Sequence, residues 1–148
     1  MGTGKSKLKQ KELLIQSRTE NLTTVRAFVN SAVEEVSAPQ DIAGDIVLAV
    51  DEACTNIIKH AYKFSPDGEI TINLKYSEKK VEVKITDHGS PFSPDTIPTP
   101  DLKKYFEEKR VGGLGMHLMK SLMDSVQYKS VPGKYNQVLL TKKLNSTN

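Results

Sequence analysis

The stretch that decides the fold is DEACTNIIKHAY, which runs from Asp51 to Tyr62. Apolar residues recur there at three- and four-residue spacing, which predicts a helix that extends from about 41 to about 62. On a helical wheel, one side of this helix is apolar and contains Val47, Val50, Ala53, Cys54, Ile57, Ile58 and Ala61. The opposite side is polar, and Glu52, Asn56 and His60 follow one another at intervals of four, which aligns their side chains along one stripe.

A polar helix face is most often only a solvated surface. Asn56 argues against that interpretation, because an asparagine amide competes for backbone hydrogen bonds and is poorly suited to the middle of a helix. The stripe is therefore a candidate functional face, although it does not by itself identify a function.

Periodicity also places the elements around this helix. They are a strand over 12–18, a helix over 20–36, a hairpin of strands over 70–76 and 81–85, a helix that follows the glycine-rich stretch 112–115, and strands over 125–130 and 137–144. Helices followed by strands, with one late helix, predict an α+β fold. We expect a two-layer sandwich, with helices on one face of a mixed, mostly antiparallel sheet.

Length and composition indicate one ordinary domain. A chain of 148 residues, 37% of them apolar, is long enough to bury a core, and we expect a flexible basic tail over 1–10 and a single domain over 11–148. The single cysteine, Cys54, excludes an internal disulfide and a cysteine-rich metal site. A protein without disulfides is consistent with a reducing compartment such as the cytoplasm. We expect no membrane segment, because no apolar run approaches the roughly 18 residues that a span needs.

The net charge of +3 is modest, and four lysines lie within the first eleven residues. A basic surface stripe is the usual footprint of nucleic-acid binding, so direct binding to nucleic acid is not expected. The segment 90–110 lacks a clear period and contains four prolines. Loops of that length in compact domains are usually functional lids or disordered segments.

Two further motifs follow the hairpin. In KITDHGSPF an alternating strand leads into Asp87, and Gly89 has no side chain, so another group can approach its backbone closely. In VGGLGMHLM a glycine-rich loop leads into a helix N-terminus, where unpaired N–H groups and the helix dipole suit a phosphate. The spacing does not fit the dinucleotide fingerprint, and each motif alone is more often structural than functional.

In this order and spacing, DEACTNIIKHAY, DHGSPF and GGLGMHLMKSLMD resemble the motifs of the GHKL ATPase superfamily, which contains gyrase, Hsp90, histidine kinases and MutL. Within it, they are most similar to the small bacterial anti-sigma factors that are also serine protein kinases. The resemblance covers nearly the whole chain. It implies a Bergerat-type ATP-binding fold in which residues 90–110 form the ATP lid.

The resemblance implies a role for each motif residue. Glu52 corresponds to the catalytic carboxylate that accepts a proton from the serine hydroxyl of a partner protein, and Asn56 corresponds to the ligand of Mg²⁺ at the ATP phosphates. Asp87 corresponds to the acceptor of the adenine amino group, and Gly89 gives the ring room. The other nucleotide-binding positions are Gly112, Gly113, Leu114, Gly115 and Met116, with Lys59 and Arg110 as cations within possible reach of phosphate.

Two positions depart from the family pattern. Pro91 replaces the second glycine of the longer Asp-x-Gly-x-Gly motif. Near the end of the chain, Asn136 and Gln137 stand where relatives often have a threonine on the nucleotide side. The sequence therefore leaves open how adenine is contacted from that strand.

The resemblance implies an ATP- and Mg²⁺-dependent serine protein kinase that phosphorylates an anti-sigma-factor antagonist and sequesters a sigma factor. The resemblance also implies a cytoplasmic homodimer. An alternative is a nucleotide-dependent binding module, in which ATP sets the conformation of the 90–110 lid without phosphotransfer. An ATPase of the gyrase or Hsp90 type is disfavoured, because 148 residues leave no room for the transducer domain of those machines.

Overall fold

The computed structural model describes residues 8–91 and 115–144, and only the backbone of residues 115–118. Within these ranges the chain forms a layer of five strands and a layer of helices. The strands are β1 (Lys9–Gln16), β2 (Glu69–Tyr76), β3 (Lys80–Asp87), β4 (Ser125–Val131) and β5 (Tyr135–Lys143). The α-helices are α1 (Leu22–Glu35), α2 (Gln40–Asn56) and α3 (Gly115–Leu122), with a 3₁₀ turn (Thr19–Asn21) before α1.

The strands lie in the order β1-β2-β3-β5-β4, and every neighbouring pair is antiparallel. The predicted α+β sandwich is confirmed, but the described sheet is wholly antiparallel rather than mixed. Tight connections account for the β2–β3 and β4–β5 pairs, since a short turn can join only antiparallel neighbours. Between β1 and β2 the chain passes through two helices, α1 and α2, which return it to the end of the sheet where β1 finished.

The helices pack on one face of this sheet and enclose a single apolar core. Alternate residues of β2 and β3 are buried, as expected for strands with one face covered. Their core-facing side chains join those of the helices, and this cluster includes Val29, Val33, Ile46, Val50, Ile72, Val83, Ile85 and Leu140. None of the helices in the described ranges is long and apolar enough to cross a membrane.

The basic start of the chain is partly ordered into the sheet. Strand β1 begins at Lys9, so Lys9 and Gln10 belong to the domain rather than to the predicted 1–10 tail. Lys9 and Lys11 form ion pairs with Glu35 at the end of α1, and the Tyr76 hydroxyl donates a hydrogen bond to the same carboxylate over 3.0 Å. These three donors, Lys9 foremost, lower the pKa of Glu35 to about 2.

The helix predicted to reach Tyr62 changes character after Asn56. Residues Ile57–Ala61 form a π-helical turn, in which the Tyr62 N–H donates to the Ile57 carbonyl over 3.0 Å. Lys63 and Phe64 then end the helix with positive φ angles of 51° and 65°. Single π turns often occur at functional sites, and this one begins directly after Asn56.

Candidate active site

The polar stripe is buried at Asn56, half-buried at Glu52 and exposed at His60. Asn56 is 4% exposed, and Glu52, one turn earlier, is half-buried. Asn56 Nδ2 and Glu52 Oε2 are inaccessible to water and have no hydrogen-bond partner among the described residues. An unpaired buried polar group costs about 1–3 kcal/mol. Two such groups one turn apart indicate a site that a ligand completes.

The environment of Glu52 makes its carboxylate a stronger base than an exposed glutamate. Burial raises the pKa of Glu52, and the neighbouring Asp51 carboxylate raises it further, whereas Lys59 opposes the shift. Asp51 itself forms an ion pair with Arg26 of α1, with an N–O distance of 2.6 Å. Glu52 is therefore the α2 carboxylate best placed to accept a proton.

Asp87 ends β3 on the face that packs against the helices. The alternation of β3 buries Val81, Val83 and Ile85, and the same alternation buries Asp87, which is only 2% exposed. Its Oδ1 accepts hydrogen bonds from the Gly89 N–H and from Asn136 Nδ2, each over 2.9 Å. Burial raises the pKa of Asp87, and these two hydrogen bonds oppose the shift.

Gly89 lies against the end of the π turn. A Cβ atom on Gly89 would lie 2.6 Å from the Ala61 carbonyl oxygen and 2.8 Å from the Ala61 Cβ. The Ser90 N–H donates to the same carbonyl over 2.8 Å. The resemblance implies that a glycine at position 89 leaves room for the adenine ring. The structure adds a second reason for a glycine there, because the loop packs closely on the end of the helix.

Replacing Gly89 with alanine is expected to lower the free energy of unfolding by about 1–3 kcal/mol, because the new methyl group must displace backbone atoms of Ala61. Urea unfolding measures this change. Gly44 in α2 provides the matched control, since a Cβ there meets nothing within 4 Å and alanine favours a helix over glycine by about 1 kcal/mol. Equal stability of Gly89→Ala and wild type would contradict the packing argument.

Tyr62 joins the end of the helix to the loop that follows Asp87. Its hydroxyl accepts a hydrogen bond from the His88 N–H over 2.8 Å and donates to the Glu69 carbonyl over 2.6 Å. Its ring covers Gly68, where a Cβ would lie 2.4 Å from the ring. The sequence motifs gave no role to Tyr62, although a tyrosine at the end of an amphipathic helix is a residue that packs its ring and donates its hydroxyl.

The predicted site residues that the structure describes lie on elements that pack against one another. Glu52, Asn56 and Lys59 lie on α2 and its extension, Asp87 is the last residue of β3, and Gly89 lies in the loop that follows it. Gly115 and Met116 begin α3, which packs against α2. The other predicted positions, which are Arg110, Gly112, Gly113, Leu114 and residues 92–110 of the lid, lie outside the described residues.

Burial distinguishes two other residues of the stretch DEACTNIIKHAY. Cys54 is fully buried, and burial raises the pKa of its thiol, so it is a core residue and not a nucleophile. His60 is exposed, and its pKa is lowered by burial of part of the ring and by Lys59.

Within the described ranges no three His, Cys, Asp or Glu side chains form a group that could hold a metal ion.

Known proteins are similar to this chain in sequence and in fold. Residues 15–142 match the family model of the histidine kinase-like ATPase domain. The chain is 33% identical over 137 residues to the serine-protein kinase RsbW of Listeria monocytogenes, covering 90% of this chain and 86% of that one. It is also 33% identical over 139 residues to RsbW of Bacillus subtilis, covering 90% and 85% of the two chains.

Solved structures support the fold at lower sequence identity. The RsbU and RsbW domains of Rv1364c from Mycobacterium tuberculosis match with a TM-score of 0.66 and 17% identity, covering 92% of this chain and 32% of that one. A chain of the SiaB–SiaC complex from Pseudomonas aeruginosa matches with a TM-score of 0.54 and 14% identity over 88% and 89% of the two chains. The sequence matches and the geometry of α2 and β3 agree, and the chain belongs to the histidine kinase-like ATPase domain family, in the group of the RsbW serine-protein kinases.

Proposed function

We propose that this protein is a cytoplasmic kinase and anti-sigma factor that uses Mg²⁺ and ATP to phosphorylate a serine of its antagonist, and that it sequesters a sigma factor until that antagonist displaces it. The observation that carries the proposal is the pair of buried, unpartnered atoms on α2, Glu52 Oε2 and Asn56 Nδ2. They lie one turn apart in the stretch DEACTNIIKHAY, which resembles a motif of the GHKL ATPase superfamily.

Asn56 is the residue that would hold Mg²⁺. Turning the Asn56 amide by 180° exchanges its oxygen and its nitrogen. The unpartnered position can therefore hold the amide oxygen, and an oxygen there suits a cation such as Mg²⁺ that prefers oxygen ligands. One protein ligand is sufficient, because Mg²⁺ usually keeps several waters and binds substrate phosphates. Bound there, the ion would supply positive charge against the phosphates.

Glu52 would accept the proton of the substrate serine. Phosphoryl transfer needs little covalent help from the protein beyond orientation of the nucleophile and a proton acceptor. A carboxylate whose pKa is raised by burial is closer to the pKa that proton transfer near neutral pH requires. Glu52 is half-buried rather than enclosed, so its side chain is not closed off from that hydroxyl.

Asp87 would recognise the base. A buried carboxylate accepts hydrogen bonds and donates none. It can therefore accept a hydrogen bond from the exocyclic amino group of adenine, whereas it would repel a carbonyl oxygen at the same position. The glycine-rich segment Gly112–Met116, Arg110 and the 90–110 lid enter the proposal through motif order alone. The single domain over 11–148 rests on chain length, the homodimer on the family resemblance, and the lack of direct nucleic-acid binding on the modest net charge.

Calorimetric titration with ATP, with and without Mg²⁺, tests the site. Wild-type protein is expected to bind ATP more tightly with Mg²⁺, and Asn56→Ala is expected to lose that dependence. The variant should remain folded, because the substitution removes a buried amide nitrogen that has no hydrogen-bond partner among the described residues.

Asn30→Ala is the matched control, since Asn30 lies on the exposed surface of α1 and donates to Glu34. Its Mg²⁺ dependence should equal that of the wild type. Unchanged Mg²⁺ dependence in Asn56→Ala would refute the metal role, and failure of the wild type to bind millimolar ATP would refute the nucleotide site.

A further inference from the structure

We propose that Asn136 is a positioning residue for Asp87, which fixes one carboxylate oxygen and thereby directs the other towards the nucleotide base. Asn136 Nδ2 donates to Asp87 Oδ1 over 2.9 Å and to the Gly89 carbonyl over 3.1 Å. Asp87 Oδ1 also accepts the Gly89 N–H. Both hydrogen bonds that described residues make to this carboxylate fall on Oδ1, so Oδ2 is the oxygen left for a ligand.

The orientation of the Asn136 amide follows from its neighbours. Its nitrogen faces two acceptors, and its Oδ1 accepts a hydrogen bond from the Ser130 hydroxyl over 2.6 Å. Turning the amide by 180° would place its oxygen against two other oxygens and lose both contacts. The two acceptors therefore set the orientation of the amide, and the Ser130 hydroxyl in β4 holds its other end.

The strand register places this pair side by side. Asp87 in β3 is directly opposite Asn136 in β5, and directly opposed residues on one face of a sheet have neighbouring side chains. A threonine hydroxyl at this position would have one hydrogen to donate, whereas the two hydrogens of the amide serve both Asp87 and Gly89. This accounts for the departure from the family pattern at the end of the chain.

The inference rests on the proposed function, because it assumes that Asp87 meets adenine. Without Asn136, the carboxylate keeps the Gly89 N–H but can rotate, so its contact with the adenine amino group should weaken. Asn136→Ala is expected to weaken ATP binding by about three- to tenfold, which corresponds to the loss of one ordinary hydrogen bond. Purine riboside triphosphate, which lacks the amino group, should bind the variant and the wild type equally well.

Calorimetry with ATP and with purine riboside triphosphate tests this expectation. Gln137→Ala is the matched control, because Gln137 is the next residue of β5 and its amide donates to Thr86 over 3.2 Å on the other face of the sheet. The control should bind both nucleotides like the wild type. Equal weakening of both nucleotides by Asn136→Ala would show a merely structural role and overturn the proposal, as would unchanged ATP binding.

A second measurement does not depend on nucleotide binding. Titration of Asp87 by carboxyl-detected NMR in the nucleotide-free protein should show a higher pKa in Asn136→Ala, because the Asn136 hydrogen bond lowers the pKa of that carboxyl. An unchanged pKa would overturn the positioning role. If the wild type bound neither nucleotide, the proposed function would fail, and this titration would still decide whether Asn136 holds Asp87.

Discussion

Replacing Glu52 with glutamine is expected to lower the rate of phosphate transfer to the substrate serine by about 10²- to 10⁴-fold, the usual contribution of a general base. Glutamine keeps the size of the side chain but cannot accept the proton of the hydroxyl. ATP binding should change little, because the proposed contacts to the base and the metal lie on Asp87 and Asn56. Phosphate transfer to the protein substrate is measured by mass spectrometry, and ATP affinity by calorimetry.

The same substitution should not destabilise the fold. A loss of phosphate transfer can then be attributed to catalysis and not to unfolding. Burial raises the pKa of Glu52 in the folded state above its ordinary value of 4.5. The stability contribution of such a group is fully present below the unfolded pKa and is lost as the pH rises through the folded pKa. Glu52→Gln should therefore be at least as stable as the wild type at pH 7, and this advantage should shrink towards pH 4.

Glu34→Gln is the control for this experiment, because Glu34 is an exposed carboxylate on α1. It should transfer phosphate at the wild-type rate. Full activity of Glu52→Gln would refute the proton-acceptor role. If the wild-type chain bound ATP but transferred no phosphate, the nucleotide-dependent binding module would replace the kinase as the better explanation.

Local periodicity was sufficient to predict the parts of the site that lie within one element. The helical period placed Glu52 and Asn56 on one stripe, and the structure confirms that they lie one turn apart, with Asn56 buried. The two-residue period of β3 led into Asp87, which lies on the covered face. In each case the chain itself carries the geometry, since residues four apart in a helix or two apart in a strand share a face.

Contacts between distant elements could not be predicted in this way. The pairing of Asn136 with Asp87 depends on the register between β3 and β5, across 49 residues of sequence. The π turn at Ile57–Ala61 leaves the apolar pattern of the helix unchanged, and the role of Gly89 depends on where that turn presents the Ala61 carbonyl. Such features arise from packing between elements, which periodicity within one element does not encode.

Replacing Asp87 with asparagine is expected to weaken ATP binding by about 10- to 100-fold, the effect of losing a hydrogen bond to a charged group. The amide oxygen of the new side chain can accept the hydrogen bonds from the Gly89 N–H and from Asn136 that Oδ1 now accepts. The NH₂ group of the new side chain then faces the amino group of adenine. Both groups are donors, so no hydrogen bond can form between them. The fold should be preserved, because the substitution removes a buried carboxylate whose pKa is raised by burial.

Inosine triphosphate separates altered recognition from general damage. Its base has a carbonyl in place of the amino group, and the NH₂ group of Asp87→Asn can donate to that carbonyl. Binding of inosine triphosphate should therefore improve in the variant while ATP binding weakens. Asp124→Asn is the control, since Asp124 is an exposed carboxylate that accepts the Lys143 N–H and directly precedes β4. Equal losses for both nucleotides would mean that Asp87 supports the fold and does not read the base.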